Sequence, residues 1–325
     1  MSGLLKTLLS GVRRSIRPLD PIDFLRCQAF GSPKGSNRAH TFRGAANMNR
    51  RPALWDVARA GMMPTRRSVA WVSTAGSRIN ALSIARPRSG PQSWEVTHLI
   101  AGSGDEHDDL AGGLLDALAN STARQGAERV FLRLRSNDPL IVKAQHGGFF
   151  PCVSEVLYER GPVVWRWQRE DGIALNRMEP SDDYDAFRLY NSATPAEVRH
   201  ASAMTFDQWR ACREQRGGRW RQLLLRSSNG IDAWVATHRD PWTGWLSIIA
   251  RPDVESRLGS LVDLALGRLK GVRKVYCLVP EYQIAFQSAL LRRDFRPGPE
   301  FTILVKSNAS AVRERAAAKV GVGTT

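Results

Sequence analysis

The sequence predicts an α/β fold with a mixed sheet, built as two similar halves. Three observations carry this. Between Trp94 and Glu159 the chain reads strand, acidic turn, helix, strand, helix, strand. That order joins a parallel strand pair through a crossover helix. The same order returns between Trp242 and Lys306, and 325 residues exceed what one hydrophobic core usually organises.

In the first half, RPLDPIDFLRCQAF opens as a strand and a helix. RSVAWVSTAGSRINALSIARPRSG reads as two strands around Gly76-Ser77, closed by a Pro/Gly/Ser-rich break. WEVTHLI is a β-prone run, and AGSGDEHDD supplies turn residues and a helix start. Apolar residues over 110–127 keep helical spacing, ERVFLRLR alternates as a strand should, and PLIVKAQHGGFF is a short helix ending at glycine. VSEVLYER closes the half, and 161–171 lead out of it.

The second half repeats the sequence of elements. IALNRMEPSDDYDAFRLYNSATP is an opening strand and helix. RWRQLLLRSSNGIDAWVATHRD is a hairpin with Asn229-Gly230 as its turn. WTGWLSIIARPD is a strand, VESRLGSLVDLALGRLKG an amphipathic helix ending at Gly271, RKVYCLVP a strand, YQIAFQSALLRRDF a helix and EFTILVK a last strand. The predicted division is a basic leader over 1–17, domains over 18–165 and 172–306, and a disordered Ala/Arg/Gly-rich tail over 307–325.

Composition narrows the class. No apolar run reaches eighteen residues, so no membrane span is expected. The leader has its apolar patch before its arginines, the reverse of a secretory signal. Cys27, Cys152, Cys212 and Cys277 are spread out, with no CxxC and no histidine at ligand spacing. They read as reduced thiols of a cytoplasmic protein, with no metal site. The formal charge is +16, concentrated at the start: residues 1–70 hold thirteen Lys and Arg against three Asp and Glu. Such an arm suits nucleic acid or anionic lipid. Without a zinc knuckle, a helix-turn-helix or an RNP-like aromatic strand, the favoured reading is a solvated segment. Trp234, Trp242 and Trp245 crowd one hairpin, and Trp165 and Trp167 sit at the junction of the halves; all read as packing.

The repeated order, with Asn137 before a short helix closing on Gly148-Phe149, resembles the GCN5-related N-acetyltransferase (GNAT) superfamily. Asp294-Phe295 is the matching pair in the second half, and the whole resembles two tandem GNAT-like domains. The resemblance implies transfer of an acetyl group from acetyl-CoA to an amine. It places the donor's pantetheine along the backbone of Ile100, Ala101 and Gly102, with Asn137 nearby. It places the pyrophosphate at the crossover helix, through a loop of the form Q/R-x-x-G-x-G/A. Here that loop reads from His107 to Gly112, with Leu110 at the first glycine, Gly112 in register and Gly113 beside it. Asp105, Glu106, Asp108 and Asp109 suit a helix start as caps but repel a pyrophosphate. The second half's loop, 256–261, keeps only Gly259. The family's proton-donating tyrosine falls on Ala144 and Leu290. Glu95 and His98 are the candidate bases; strict alternation puts Glu95 with Thr97 on one face and His98 on the other.

Two functions follow. One is an acyl-CoA-dependent N-acyltransferase with the donor in the N-terminal half and an amine acceptor whose identity the sequence does not give. The other is a non-catalytic tandem module acting through the basic N-terminal segment. The first is the expectation.

Overall fold

The structure is a computed structural model that describes residues 14–23, 26, 35–47, 68–76, 78–102, 104–162, 173–214 and 219–308. The first half contains β1 (Arg14–Pro18), β2 (Ser36–Asn37), β3 (Val69–Ala75), β4 (Arg78–Pro87), β5 (Ser93–Ala101), α1 (Asp105–Arg124), β6 (Arg129–Arg135), α2 (Leu140–His146) and β7 (Phe150–Arg160). The second contains β8 (Leu175–Arg177), α3 (Asp183–Ala193), α4 (Ala196–Ser202), α5 (Phe206–Cys212), β9 (Arg221–Ser227), β10 (Gly230–Arg239), β11 (Thr243–Ala250), α6 (Leu258–Arg268), β12 (Lys274–Pro280), α7 (Ile284–Leu291) and β13 (Arg296–Ser307).

All these strands join one sheet of thirteen, in the order β1-β3-β4-β5-β6-β13-β7-β12-β11-β10-β9-β8, with β2 on β5. Among the described residues only β5–β6 and β11–β12 pair in parallel, one pair in each repeat. Each lies across a crossover helix, as the sequence order requires. The repeats exchange their last strands. β13 lies between β6 and β7, and β7 lies between β13 and β12. The sheet therefore runs unbroken from one repeat into the other, although the linking residues 163–172 lie outside the described set.

Two large cores sit on one face. Leu114, Leu115 and Leu118 of α1 pack on Trp94, Leu99 and Leu132. Leu261, Val262, Ala265 and Leu266 of α6 pack on Val235, Leu246 and Val275. Both helices bury residues three and four apart, the stripe that a helix presents to a sheet. The other face carries α3, α4 and α5. Val198 of α4 packs with Phe131, Val153 and Ile303, so the second repeat's helices reach over the first repeat's strands. The amide of Gly90 donates to Ala211 O at 3.0 Å and that of Ser89 to Arg213 O at 3.1 Å, fixing the same contact.

Local signals held where the backbone demanded a particular residue. Gly230 has φ +110° in the β9–β10 hairpin. Gly148 has φ +81°, and Asp294, its counterpart, has φ +60°, the left-handed region in which a non-glycine residue is uncommon. Each turns the chain so that the next residue, Phe149 or Phe295, enters the core. Trp245 is buried, whereas Trp242 is exposed, with the Arg273 guanidinium 4.2 Å from its ring centroid. Trp165, Trp167, Cys27, most of the leader and nearly all of the tail lie outside the described residues. Cys152, Cys212 and Cys277 are free thiols. Among the described residues, no helix is long and apolar enough to cross a membrane, and no cluster of three or more His, Cys, Asp or Glu is placed to hold a metal.

Candidate functional site

Each parallel pair opens after three residues. β5 and β6 part beyond Glu95–Phe131, and β11 and β12 part beyond Trp245–Tyr276. A parting pair leaves the inner backbone edge of each strand in need of partners. The two repeats meet that need differently.

In the first repeat the chain fills its own gap. Ser36 and Asn37 pair with Ala101 and Ile100. The Asn37 side chain accepts from Leu99 N at 2.8 Å and donates to Thr97 O at 3.2 Å. Arg38 N donates to Leu99 O and His40 N to Arg133 O, both at 2.9 Å, so one segment bridges β5 and β6. Gly35 has φ +150°, and a side chain there would run into the Ala101 carbonyl. Arg38 bonds Asp108 at the start of α1 and Asp138 before α2. Burial works against its charge, but the bonds to the two carboxylates outweigh burial and hold its pKa above the ordinary value.

The predicted donor residues are thus already engaged or scattered. Ile100 and Ala101 are buried under β2. Gly102 lies against the His107 ring, which stands where its side chain would be. Gly113 packs on Ile16 of β1, and Gly112 faces open space one position away. Asn137 is exposed in the turn between β6 and α2. The helix starts at Asp105, earlier than the apolar spacing indicated, with Gly104 as its cap residue and no side-chain cap bond. Asp105, Glu106 and Asp108 therefore lie in its first turn. Asp109 bonds Lys143 at 2.7 Å. Ala144 and Leu290, at the tyrosine position, are buried in the two cores.

Glu95 and His98 share a face, against strict alternation. The β4–β5 register shifts between Ile84–His98 and Ala85–Val96, so Thr97 is an extra residue. Trp94 and Val96 face α1, as do Leu99 and Ala101, which reverses the phase across the bulge. The His98 ring lies beside its neighbour's hydroxyl, with Thr97 Oγ1 and His98 Nδ1 3.0 Å apart. Glu95 is buried in a cluster of charges. Its carboxylate takes Arg86 at 2.7 Å and lies 3.7 Å from Arg88. Arg133 bonds Glu155 at 3.0 Å and Glu214 at 2.7 Å, and Arg88 reaches Glu214 at 3.3 Å. Burial raises the Glu155 carboxyl above the usual range; Arg133 works against this and the neighbouring Glu214 carboxylate adds to it. The sequence reading missed this cluster, since its members come from both repeats.

The second repeat keeps its gap open. Past the Trp245–Tyr276 pair, whose ladder also takes the Leu246 amide, no backbone group among the described residues pairs with the edge of Ser247–Ala250 that faces away from β10. A 3-10 turn, Pro252–Arg257, runs into α6, whose first turn carries no acidic residue. The Arg293 guanidinium lies against Gly259 there, bonded to Asp263 at 2.6 Å. Beside the gap, on the face away from α6, a cavity of about 440 Å³ opens between α3, α5 and β9–β11. Its wall includes Trp209, Trp220, Trp234, Tyr190 and Ile249, with Glu214 at its edge toward the charge cluster.

No protein-family model and no curated protein matches the sequence. Solved structures match its shape. A GCN5-related N-acetyltransferase from Sphaerobacter thermophilus is 15% identical, with 90% of this chain and 95% of that chain covered and a TM-score of 0.50. A proposed acetyltransferase from Pyrococcus horikoshii is 12% identical over 91% of this chain and 90% of that chain, also at a TM-score of 0.50. A tandem GNAT protein from the clavulanic acid biosynthesis pathway is 12% identical over 91% of this chain and 98% of that chain, at a TM-score of 0.45. The likeness is one of fold.

Proposed function

We propose that this chain, which has the GCN5-related N-acetyltransferase fold in tandem, is an acyl-CoA-dependent N-acyltransferase that works from its second repeat. The observation that carries this reading is the difference between the two gaps. Backbone of residues 36–40 bridges the β5–β6 gap, and no described backbone segment bridges the β11–β12 gap. The expectation that Ile100, Ala101, Gly102 and Gly112 bind the donor gives way to the β11 edge. The first repeat then serves as a closed lobe that supports the second.

The residues present suit an acyl-CoA in the second repeat. The open edge of Ser247–Ala250 offers backbone donors and acceptors to an amide-rich chain. The entry to α6 carries Arg251, Arg257 and Arg293; Asp253 and Glu255 lie in the preceding 3-10 turn, where Arg251 bonds Asp253, but the first turn of α6 itself holds no carboxylate, which suits a pyrophosphate better than the acidic first turn of α1. Bound there, acetyl-CoA or a related thioester would supply an activated acyl group. The N–C bond to the acceptor amine forms as the C–S bond breaks, and the proton lost by nitrogen ends on sulfur. Glu214, held by Arg133 beside Glu155, is the carboxylate in the cavity wall and is placed to receive a proton there.

Calorimetric titration with acetyl-CoA tests the reading. Arg257→Glu reverses an exposed charge at the α6 entry and is expected to weaken binding about tenfold, the scale of a helix-terminus interaction with an anion doubled by charge reversal. Gly112→Val is expected to leave binding unchanged. Loss of binding with Gly112→Val alone returns the donor to the first repeat, and no binding by the parent chain refutes the enzyme reading.

A further inference from the structure

We infer that the cavity beside β11 seats the acyl acceptor, and that this acceptor is an amine carried on an apolar, ring-containing body. The inference rests on the acyltransferase reading and adds the substrate class.

Position is the first argument. Ile249 lines the cavity and belongs to the cluster with Leu189, Leu224 and Trp234. Leu246 and Ile248 point to the opposite face, into the α6 core. The cavity therefore opens onto one face of β11, while the gap lies in the plane of the sheet along the edge of the same strand. A ligand in the cavity and a ligand in the gap would meet at β11 without competing for the same space.

The chemistry of the wall is the second argument. Trp209, Trp220, Trp234 and Tyr190 give it large flat apolar faces. These surfaces favour ring systems through area burial and through offset or edge-on contact. The polar atoms of the wall are largely matched within it. Trp234 Nε1 donates to Gln222 Oε1 at 3.2 Å, and Arg213 donates to Asp183 at 3.0 Å. The Tyr190 hydroxyl and Ser202 Oγ share a bond of 2.9 Å. Glu214 bonds Arg133 and Arg88. A polyamine entering this space would lose hydration and find carboxylates already paired with arginines. A single amine at the Glu214 end, with its ring among the tryptophans, keeps its polar group at the charged edge and buries the rest.

The cavity also draws on both repeats. Glu214 is held by Arg88 and Arg133 of the first repeat, and α5 is held by the β4–β5 loop through Gly90 and Ser89. The closed lobe thereby sets the shape of the acceptor wall.

Calorimetry on the full chain tests this, with 2-phenylethylamine, tryptamine, spermidine and octanoate as ligands and acetyl-CoA titrated separately. The ring amines are expected to bind saturably, and spermidine is not. Ala186→Trp puts a large side chain into the wall and is expected to weaken ring-amine binding at least about tenfold while acetyl-CoA affinity holds. Met178→Trp narrows the same wall away from β11 and replaces Ala186→Trp where that variant does not melt cooperatively. Spermidine binding as tightly as the ring amines overturns the inference. So does octanoate competing with them, which would make the cavity an acyl-chain site. Acetyl-CoA binding without ring-amine binding overturns the acceptor assignment and leaves the acyltransferase reading intact. Ring-amine binding without acetyl-CoA binding overturns the acyltransferase reading, and the acceptor role with it.

Discussion

Asn37 holds Leu99 by side chain to backbone: its Oδ1 accepts the Leu99 amide at 2.8 Å. The same side chain donates to Thr97 O, so a single residue satisfies the bulged edge of β5 on both sides. Asn37→Leu is about the same size and leaves those two buried backbone groups without partners. The expected cost is about 2–4 kcal/mol in unfolding free energy, two unsatisfied groups at roughly 1–3 kcal/mol each with partial rescue by water. Urea unfolding measures it. A change below about 0.5 kcal/mol would show that residues 36–40 do not hold the gap shut.

Asp108→Asn tests the same plug from the helix side. The sequence alone suggested that removing this charge would help a pyrophosphate. In the structure Asp108 is buried and spoken for by Arg38. Arg38 keeps Asp138, so the expected loss is about 1–3 kcal/mol, below the full cost of stranding a buried charge. No gain in acetyl-CoA affinity is expected. A measured gain would reopen the first repeat as a donor site.

His40 predicts a pH dependence. It is buried against Phe301, its ring centroid 5.1 Å away, and its pKa is lowered from 6.5 to about 4, first by burial and then by Arg133 and Arg135, with Asp138 opposing. Between those values the unfolded chain binds the proton and the folded chain does not. The contribution of His40 is therefore complete above about pH 6.5 and is lost as pH falls toward 4, by up to about 3 kcal/mol. The stability difference between the parent and His40→Phe should change over that window and level off above it. A constant difference from pH 4 to pH 7 would contradict the assignment.

The exchanged strands make a prediction about the two domains read from the sequence. Fragments 18–165 and 172–306 each lack the strand that separates their own last two in the sheet: β13 for the first and β7 for the second. Neither fragment should melt cooperatively alone, and mixing them should restore a cooperative transition. A sharp independent melt of 18–165 would show that the repeats are autonomous and that the exchange is secondary.

The element order was legible because hydrophobic spacing and turn residues act locally. α1 and α6 announced themselves by apolar residues three and four apart, and Asn229-Gly230 announced a hairpin. Gly148-Phe149 and Asp294-Phe295 marked the same turn in both repeats, although Asp294 reaches φ +60° without being glycine. The plug was not legible. Residues 36–37 are too short for periodicity, and their partners Ile100 and Ala101 lie more than sixty positions away. The bulge at Thr97 was equally hidden, because alternation fixes faces only in an unbroken register; His98 therefore changed sides. The helices α4 and α5 were not separated from the loops around them, and with them the Glu214 end of the cavity escaped notice. The strand exchange is a choice between equivalent apolar strands, and no local signal distinguishes β7 from β13 as the neighbour of β6.

Hydrogen–deuterium exchange with and without acetyl-CoA tests the central claim most directly, because it reports which backbone edge a ligand covers. The account predicts new protection at residues 246–259, along the open edge of β11 and the entry to α6, with residues 97–113 unchanged. Protection at 97–113 with 246–259 unchanged, or no protection anywhere at saturating ligand, would contradict it.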